Sequence, residues 1–159
     1  MPGMITIRAG RLADGDMVAR IWMQMMRYHA RISPNDYRLI KEAPAAWLKL
    51  FRRSVRSPSM KALVAVRDGR VIGYLLGSIR KRPPCYRTKT QGFISDLAVA
   101  EGKRNSGAGT ALVNAFLPWA MKKGVKYISL SVDPNNSTGM RFWKKMGFQT
   151  VMLEQRRTL

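Results

Sequence analysis

The chain has 159 residues, 46% of them hydrophobic, and its 29 lysines and arginines against 9 acidic residues give a formal net charge of +20. This length favours a single domain over residues 1–159 with one core. The single cysteine, Cys85, excludes an internal disulfide, and together with the single histidine, His29, it argues against a metal site. A free cysteine, with no signal peptide and no membrane-length apolar run, favours a cytoplasmic protein without membrane contact.

The positive charge is spread along the chain. The segments Ala43–Arg67 and Gly69–Ser95 each hold six basic residues and no acidic one. Such a field attracts polyanions, which include nucleic acid, an anionic membrane, a ribosome and a phosphorylated cofactor. Charge spread in this way is usually a solvated surface. No nucleic-acid-binding motif accompanies it, and we expect nucleic-acid binding to be weak and sequence-independent. We also expect no aromatic platform beside the basic residues Arg52, Arg53, Arg56, Arg80, Lys81 and Arg82.

The first half of the chain predicts a strand, two helices and a hairpin. Residues 4–10 predict an opening strand, and apolar residues at helical spacing predict a helix over 14–32 with Asp14 as its N-cap. A second helix is predicted over 44–56, with Pro44 in its first turn. Strands over 61–66 and 71–79 are joined by Asp68-Gly69, a dipeptide typical of tight hairpin turns.

The second half alternates strands and helices. Residues 80–90 contain two adjacent prolines, Pro83 and Pro84, which predict a mobile basic loop. A strand is predicted over 92–99. A helix kinked at Pro118 and stopped at Gly124 follows, then a strand over 125–132, a helix over 139–146 capped near Asn136, and a sixth strand over 147–153. This order indicates the α/β class, with a mixed sheet and helices on its faces.

The stretch RNSGAGTAL, from Arg104 to Leu112, joins a predicted strand to a predicted helix. Amides in the first turn of a helix lack internal partners and favour anions, and glycines let a phosphate approach them. The stretch matches neither the Walker loop nor the dinucleotide fingerprint. A tight strand-to-helix turn therefore remains an equal alternative to a phosphate site.

A second motif, NNSTGMRFWKKMGF, lies further along the chain. Together the two motifs resemble the GNAT superfamily of acyl-CoA N-acyltransferases: Arg104, Gly107 and Gly109 match its R/Q-x-x-G-x-G/A signature. The second signature is matched at Asn136, Phe142, Gly147 and Phe148. The resemblance implies a single-domain mixed sheet of about six or seven strands, splayed between the fourth and fifth, with about four flanking helices.

The resemblance also implies acetyl-CoA as acyl donor, with direct transfer to an amine. Backbone groups of Leu97 and Val99 would hold the pantetheine arm as an added strand. An amide near Ala98, at a bulge, would polarise the thioester carbonyl. The remaining cofactor-binding residues implied are Arg104, Asn105, Ser106, Gly107, Ala108, Gly109, Thr110, Asn136 and Trp143.

Two positions depart from the family pattern. Trp143 stands where a tyrosine commonly protonates the leaving thiolate, so another tyrosine or water does this, or the acid is dispensable; Trp143 itself then packs on the cofactor arm. Ser95 precedes Asp96, which is the candidate base, with a structural carboxylate as the alternative. His29 is either a second candidate base or a helix-surface histidine.

The implied function is an acetyl-CoA-dependent N-acetyltransferase acting on a primary amine of an unidentified small molecule or protein. The acceptor is expected to contact Tyr28, His29, Asp36 and Tyr37. The alternative is a non-catalytic GNAT-like module that binds CoA or a polyanion. A homodimer is compatible with either function.

Overall fold

The computed structural model describes residues 3–159. Within them the elements are β1 (Thr6–Ala9), α1 (Gly15–Ile32), α2 (Ala43–Arg56), β2 (Met60–Arg67), β3 (Arg70–Lys81), β4 (Thr90–Val99), α3 (Ala108–Lys122), β5 (Ile128–Ser129) and α4 (Ser137–Lys145). A short 3-10 turn, Leu12–Asp14, precedes α1. No helix of this described part is long and apolar enough to cross a bilayer.

The strands form one mixed sheet in the order β1-β2-β3-β4-β5. Neighbours from β1 to β4 are antiparallel, whereas β4 and β5 are parallel. The parallel pairing is confined to Gly92 with Ile128 and Phe93 with Ser129. Residues 94–99 of β4 therefore run on without a strand partner on this side in the described chain, which is the splay expected between the fourth and fifth strands.

The two faces of the sheet are covered by different helices. Val18 and Trp22 of α1 and Phe51 of α2 pack against Tyr74 and neighbouring residues on one face. On the other face, α3 packs through residues such as Phe116 against Leu75, and α4 adds partly buried aromatic side chains. The carboxyl ends of β4 and α1 lie at one end of this sandwich, and the β3–β4 connection lies at the opposite end.

The predicted sixth strand over 147–153 is wrong, because this segment forms no strand. Val151, Met152 and Leu153 are 86%, 84% and 78% exposed. This short apolar run has the composition of a strand, but the adjoining β5 is paired over only two residues and supplies no ladder to extend. The sheet accordingly has five strands in the described chain, not six or seven.

Two local expectations also change, those for the loop over 80–90 and for Asp14. The loop predicted over 80–90 is shorter, since Arg80 pairs with Gln91 and extends both strands into it. α3 runs from Ala108 to Lys122 with Pro118 inside it, and the kink expected at Pro118 stays a prediction. Asp14 stands at the N-cap position of α1, but its carboxylate accepts hydrogen bonds from the Arg8 guanidinium and the Arg11 amide instead of capping the helix.

Candidate functional site

A β-bulge in β4 sets the geometry of the site. Leu76 of β3 is opposite Asp96, and Gly77 is opposite Ile94, so Ser95 is an extra residue in β4. Its hydroxyl donates to the Leu76 carbonyl at 3.2 Å. The extra residue changes the phase of the strand, because Ile94 packs on the α3 face and Ala98 on the α1 face.

The bulge also decides which backbone groups reach the open edge of β4, the side on which residues 94–99 have no strand partner in the described chain. The amide of Ala100 donates to the Ile72 carbonyl at 2.8 Å, so Ala100 faces β3. Since alternate residues of a strand face the same neighbour, the Ala98 amide also faces β3, and Leu97 and Val99 face the open edge. This geometry fits the expected roles of Leu97 and Val99. It does not fit the Ala98 amide as oxyanion donor, and the bulge lies at Ser95 rather than beside Ala98.

The loop between β4 and α3 turns through several left-handed residues. Asn105 and Gly107 have φ of 59° and 85°. A Cβ on Gly107 would meet no atom within 4 Å, whereas one on Gly109 would lie 3.4 Å from the Phe142 ring. Gly107 therefore provides the turn and an open approach, and Gly109 lets α3 pass close to α4.

The same loop presents groups suited to an anion. The Ser106 hydroxyl oxygen is buried and has no hydrogen-bond partner among the described residues. α3 begins at Ala108, directly after this serine and Gly107, so the free amides of its first turn lie close by in the chain. An unpartnered hydroxyl beside a helix N-terminus is compatible with a pyrophosphate site.

Side chains tie this loop to α1 and α4. The Arg104 guanidinium lies 5.5 Å from the centroid of the Tyr28 ring, and the Tyr28 hydroxyl donates to Asn136 Oδ1 at 3.3 Å. Asn136 Oδ1 also accepts from the Gly139 amide at 2.9 Å and so caps α4, as expected. The side-chain oxygen of Asn136 therefore accepts hydrogen bonds from both α1 and α4 and links these two helices.

Asp96 lies on the α1 face beside two unpartnered donors. Burial raises its pKa from the ordinary 3.8 to about 6, and the nearby Trp47 indole lowers it only in part. Neither the Trp47 N–H nor the Tyr74 hydroxyl makes a hydrogen bond of normal geometry in the described chain. A carboxyl that titrates near neutrality is suited to accepting a proton in catalysis.

Four residues are expected to contact the acceptor. Three of them, Tyr28, His29 and Tyr37, lie together near the end of α1. The rings of His29 and Tyr37 stack at 4.7 Å, and Tyr28 lies beside His29 at 5.8 Å. Burial lowers the pKa of His29, although Asp133 acts to raise it. Asp36 is exposed and paired with Arg156 of the C-terminal segment.

Asp133 is the residue of this cluster that the sequence analysis missed. Partial burial acts to raise its pKa, but contacts with Ser33, the Asn135 amide and Tyr37 lower it overall. The Asn135 amide donates to Asp133 Oδ1 at 2.8 Å. The residue follows β5 in a loop with no recognisable motif, so only its position in the fold associates it with His29.

Trp143 packs in an aromatic group on the α3 side. Its ring stands edge-on to Phe142 at 4.9 Å and to Phe148 at 5.1 Å. Tyr74, the tyrosine beside Asp96, has a pKa raised well above 10 by burial, so it is a poor proton donor. Neither residue therefore supplies an obvious acid for a leaving group.

The profile of the acetyltransferase (GNAT) family matches residues 22–148. The chain belongs to the GNAT family. The family indicated by the two sequence motifs is confirmed, as is the α/β class with four helices and a mixed sheet, while the number of strands is corrected to five.

The chain is similar to other N-acetyltransferases over part of their length and to solved structures over nearly all of theirs. The N-alpha-acetyltransferase of Sulfurisphaera tokodaii is 35% identical over 96 residues, which cover 55% of this chain and 56% of that protein, so little more than half of that relative is matched. A mutant of the BH1408 protein from Bacillus halodurans gives a TM-score of 0.88 at 23% identity, over 97% of this chain and 99% of that one. A "predicted acetyltransferase with acetyl-CoA" from Clostridium acetobutylicum gives 0.77 at 20% identity, over 96% of each chain. The structural likenesses show the fold.

Proposed function

We propose that this GNAT-family chain is an acetyl-CoA-dependent N-acetyltransferase that moves the acetyl group directly to a primary amine. The observation that carries the proposal is the edge of β4 that has no strand partner in the described chain. It runs from the bulge at Ser95 to the loop between β4 and α3, which we call the glycine loop. This edge presents the backbone of Leu97 and Val99, and the neighbouring Asp96 lies beside Trp47 on the face of the sheet that α1 and α2 cover.

The donor is held by backbone groups. The pantetheine arm lies along the open edge as an added strand on Leu97 and Val99, and one of their amides donates to the thioester carbonyl. The pyrophosphate is held by Ser106 and the amides from Asn105 to Thr110, with Arg104 adding charge. Acetyl-CoA supplies the activated thioester that the amine attacks.

Proton handling falls to Asp96. At pH 7 a carboxyl with a pKa of about 6 is mostly ionised, and it accepts the proton that the neutral amine loses as its nitrogen bonds to the thioester carbon, directly or through a water. Trp143 has no usable acidic proton. A thiolate with a pKa of roughly 8–9 leaves without an enzyme acid, so the chain does not need one.

The acceptor amine approaches over Tyr28, His29 and Tyr37. Because burial lowers the pKa of His29, the imidazole is neutral at pH 7 and accepts a hydrogen bond from a protonated or neutral amine. Either an amine-bearing small molecule or the amine of a protein fits this edge of the fold. The free, exposed Cys85 supports a cytoplasmic location.

Release of CoA thiol from acetyl-CoA, measured over a panel of amines, tests the proposal. A transferase releases CoA only with particular amines, whereas the alternative, a module that binds CoA without catalysis, releases none with any of them. The Gly107→Val variant should lose acetyl-CoA binding in calorimetry. Asp96→Asn removes the proposed base. Its matched control is Asp68→Asn at the exposed β2–β3 turn, because asparagine tolerates the positive φ of that position.

A further inference from the structure

The end of the molecule opposite the glycine loop carries an unbalanced positive charge. It is built by the end of α2, the start of β2, the β3–β4 connection and the residues between α3 and β5. We call it the basic end and define it by twelve residues: Arg52, Arg53, Arg56, Lys61, Arg80, Lys81, Arg82, Arg87, Lys89, Lys122, Lys123 and Lys126.

Few carboxylates offset this charge. The segments 49–67, 70–95 and 102–132, which supply the basic end, contain no acidic residue. Asp14 and Asp16 start α1 at the same end, but Asp14 is engaged by Arg8 at 2.7 Å. The positive field at this end is therefore largely uncompensated within the described chain.

Aromatic rings lie among these cations, contrary to the sequence-based expectation. The Arg80 guanidinium lies 3.3 Å from the centroid of Phe93. Arg82 lies between two rings, 4.2 Å from Tyr86 and 5.5 Å from Tyr127. Tyr86 and Tyr127 are 48% and 40% exposed, so both also present ring surface to solvent.

The connection that carries these groups is held in place. The Arg82 amide donates to the Lys89 carbonyl at 2.8 Å, and the Tyr86 amide donates to the Pro83 carbonyl at 3.1 Å. These bonds give the turn a defined shape, where the sequence predicts a mobile loop. Tyr86 is thus presented beside Arg82 at little further cost in entropy on binding.

We propose that the basic end binds single-stranded nucleic acid without reading its sequence. Phosphates are matched by the exposed lysines and arginines, and unpaired bases stack on Tyr86 and Tyr127. The exposed rings favour a single strand over a duplex, whose bases are already stacked, and over an anionic membrane, whose charge alone needs no such rings.

The site is separate from acetyl transfer. β4 joins the two ends, and its ten residues at about 3.3 Å each place them roughly 30 Å apart. Nucleic acid and acetyl-CoA therefore bind together, and the field at the basic end brings the enzyme to a polyanion while its transfer site stays free.

Fluorescence anisotropy with a labelled 20-nucleotide oligo(U) over a NaCl series tests this. We expect log Kd to rise linearly with log salt, with a slope of about 0.7 for each phosphate neutralised. Tyr86→Ala with Tyr127→Ala, which changes no charge, should weaken binding by about 5- to 100-fold per ring. Lys81→Gln with Arg87→Gln should weaken binding and lower the slope by about one to two phosphates.

The matched control is Arg27→Gln with Arg70→Gln, which removes two exposed charges from the other end and should change the affinity less than threefold. Equal losses in both charge variants, or no loss on removing the two tyrosines, would overturn the proposal. Competition between oligo(U) and saturating acetyl-CoA would place the nucleic acid on the glycine loop and also overturn it. So would capture by phosphatidylserine vesicles in the absence of oligo(U) binding, since the partner would then be a membrane.

Discussion

Replacing Asp96 with asparagine tests two effects of this carboxylate separately: the stability that its ionisation removes from the fold, and its proposed role as the catalytic base. Burial raises the pKa of Asp96 from 3.8 to about 6. The shift of about 2 units corresponds to about 3 kcal/mol, at 1.36 kcal/mol per unit. Because the pKa in the folded chain is raised, the stability from the neutral carboxyl is fully present below pH 3.8 and is lost as the pH rises through 6.

The asparagine variant has nearly the same shape but never ionises. At pH 4 the free energies of unfolding of the two proteins should agree closely, and at pH 8 the variant should be more stable by up to about 3 kcal/mol. Urea denaturation at both pH values measures this difference. Asp68→Asn, which removes an exposed carboxylate, should show no such pH-dependent gain.

Activity should move the other way. kcat/KM of the parent should rise with pH through about 6, and Asp96→Asn should lose that limb together with about 10²- to 10⁴-fold in rate. A variant that is stabilised at pH 8 but keeps full activity would mean that Asp96 is a buried structural carboxylate only. A parent whose stability falls no more than that of the variant between pH 4 and pH 8 would refute the raised pKa itself.

Four further substitutions test the packing around the site. Gly107→Ala places a Cβ in open space but must keep φ at 85°, so it should lower the free energy of unfolding by about 1–2 kcal/mol and weaken the binding of acetyl-CoA in calorimetry. Gly109→Val pushes its γ-carbons into Phe142, so it should lower both Tm and the affinity for acetyl-CoA. Gly77→Ala should destabilise the chain by about 1–3 kcal/mol or more in urea, because its Cβ would be built onto the Phe116 ring, and a normal unfolding midpoint would show that α3 shifts freely. Tyr74→Phe removes a buried hydroxyl without a partner, so the free energy of unfolding should stay level or rise; a loss above 1 kcal/mol would mean that the hydroxyl is bonded, for example to Asp96.

Local chemistry made much of the fold predictable. The Asp68-Gly69 turn, the apolar spacing of α1 and α2 and the Asn136 cap all depend on residues close in sequence, and all appear where predicted. The segment 147–153 has the composition of a strand as well. A strand also needs a partner for its backbone groups, and that requirement cannot be read from the segment alone.

The site was predictable where backbone groups carry it and less so where side chains do. The glycine loop and the open edge at Leu97 and Val99 follow from motifs within one stretch of chain. The surroundings of Asp96 depend on Trp47 and Tyr74, which come from other elements and approach it only through sheet register and helix packing. Asp133 and the rings around Arg82 escaped notice for the same reason.

The bulge at Ser95 works like a shift of reading frame within a strand. Upstream of it, residues with even numbers face α3; downstream, they face α1. Pairing of the same residues without the bulge, with Ser95 opposite Leu76, would reverse every position beyond it: the amide of Ala98 would turn to the open edge, and Asp96 would leave Trp47 for the opposite layer. The register at Ser95, as much as the composition of the strand, therefore decides which groups reach the open edge and which side chains reach the α1 face.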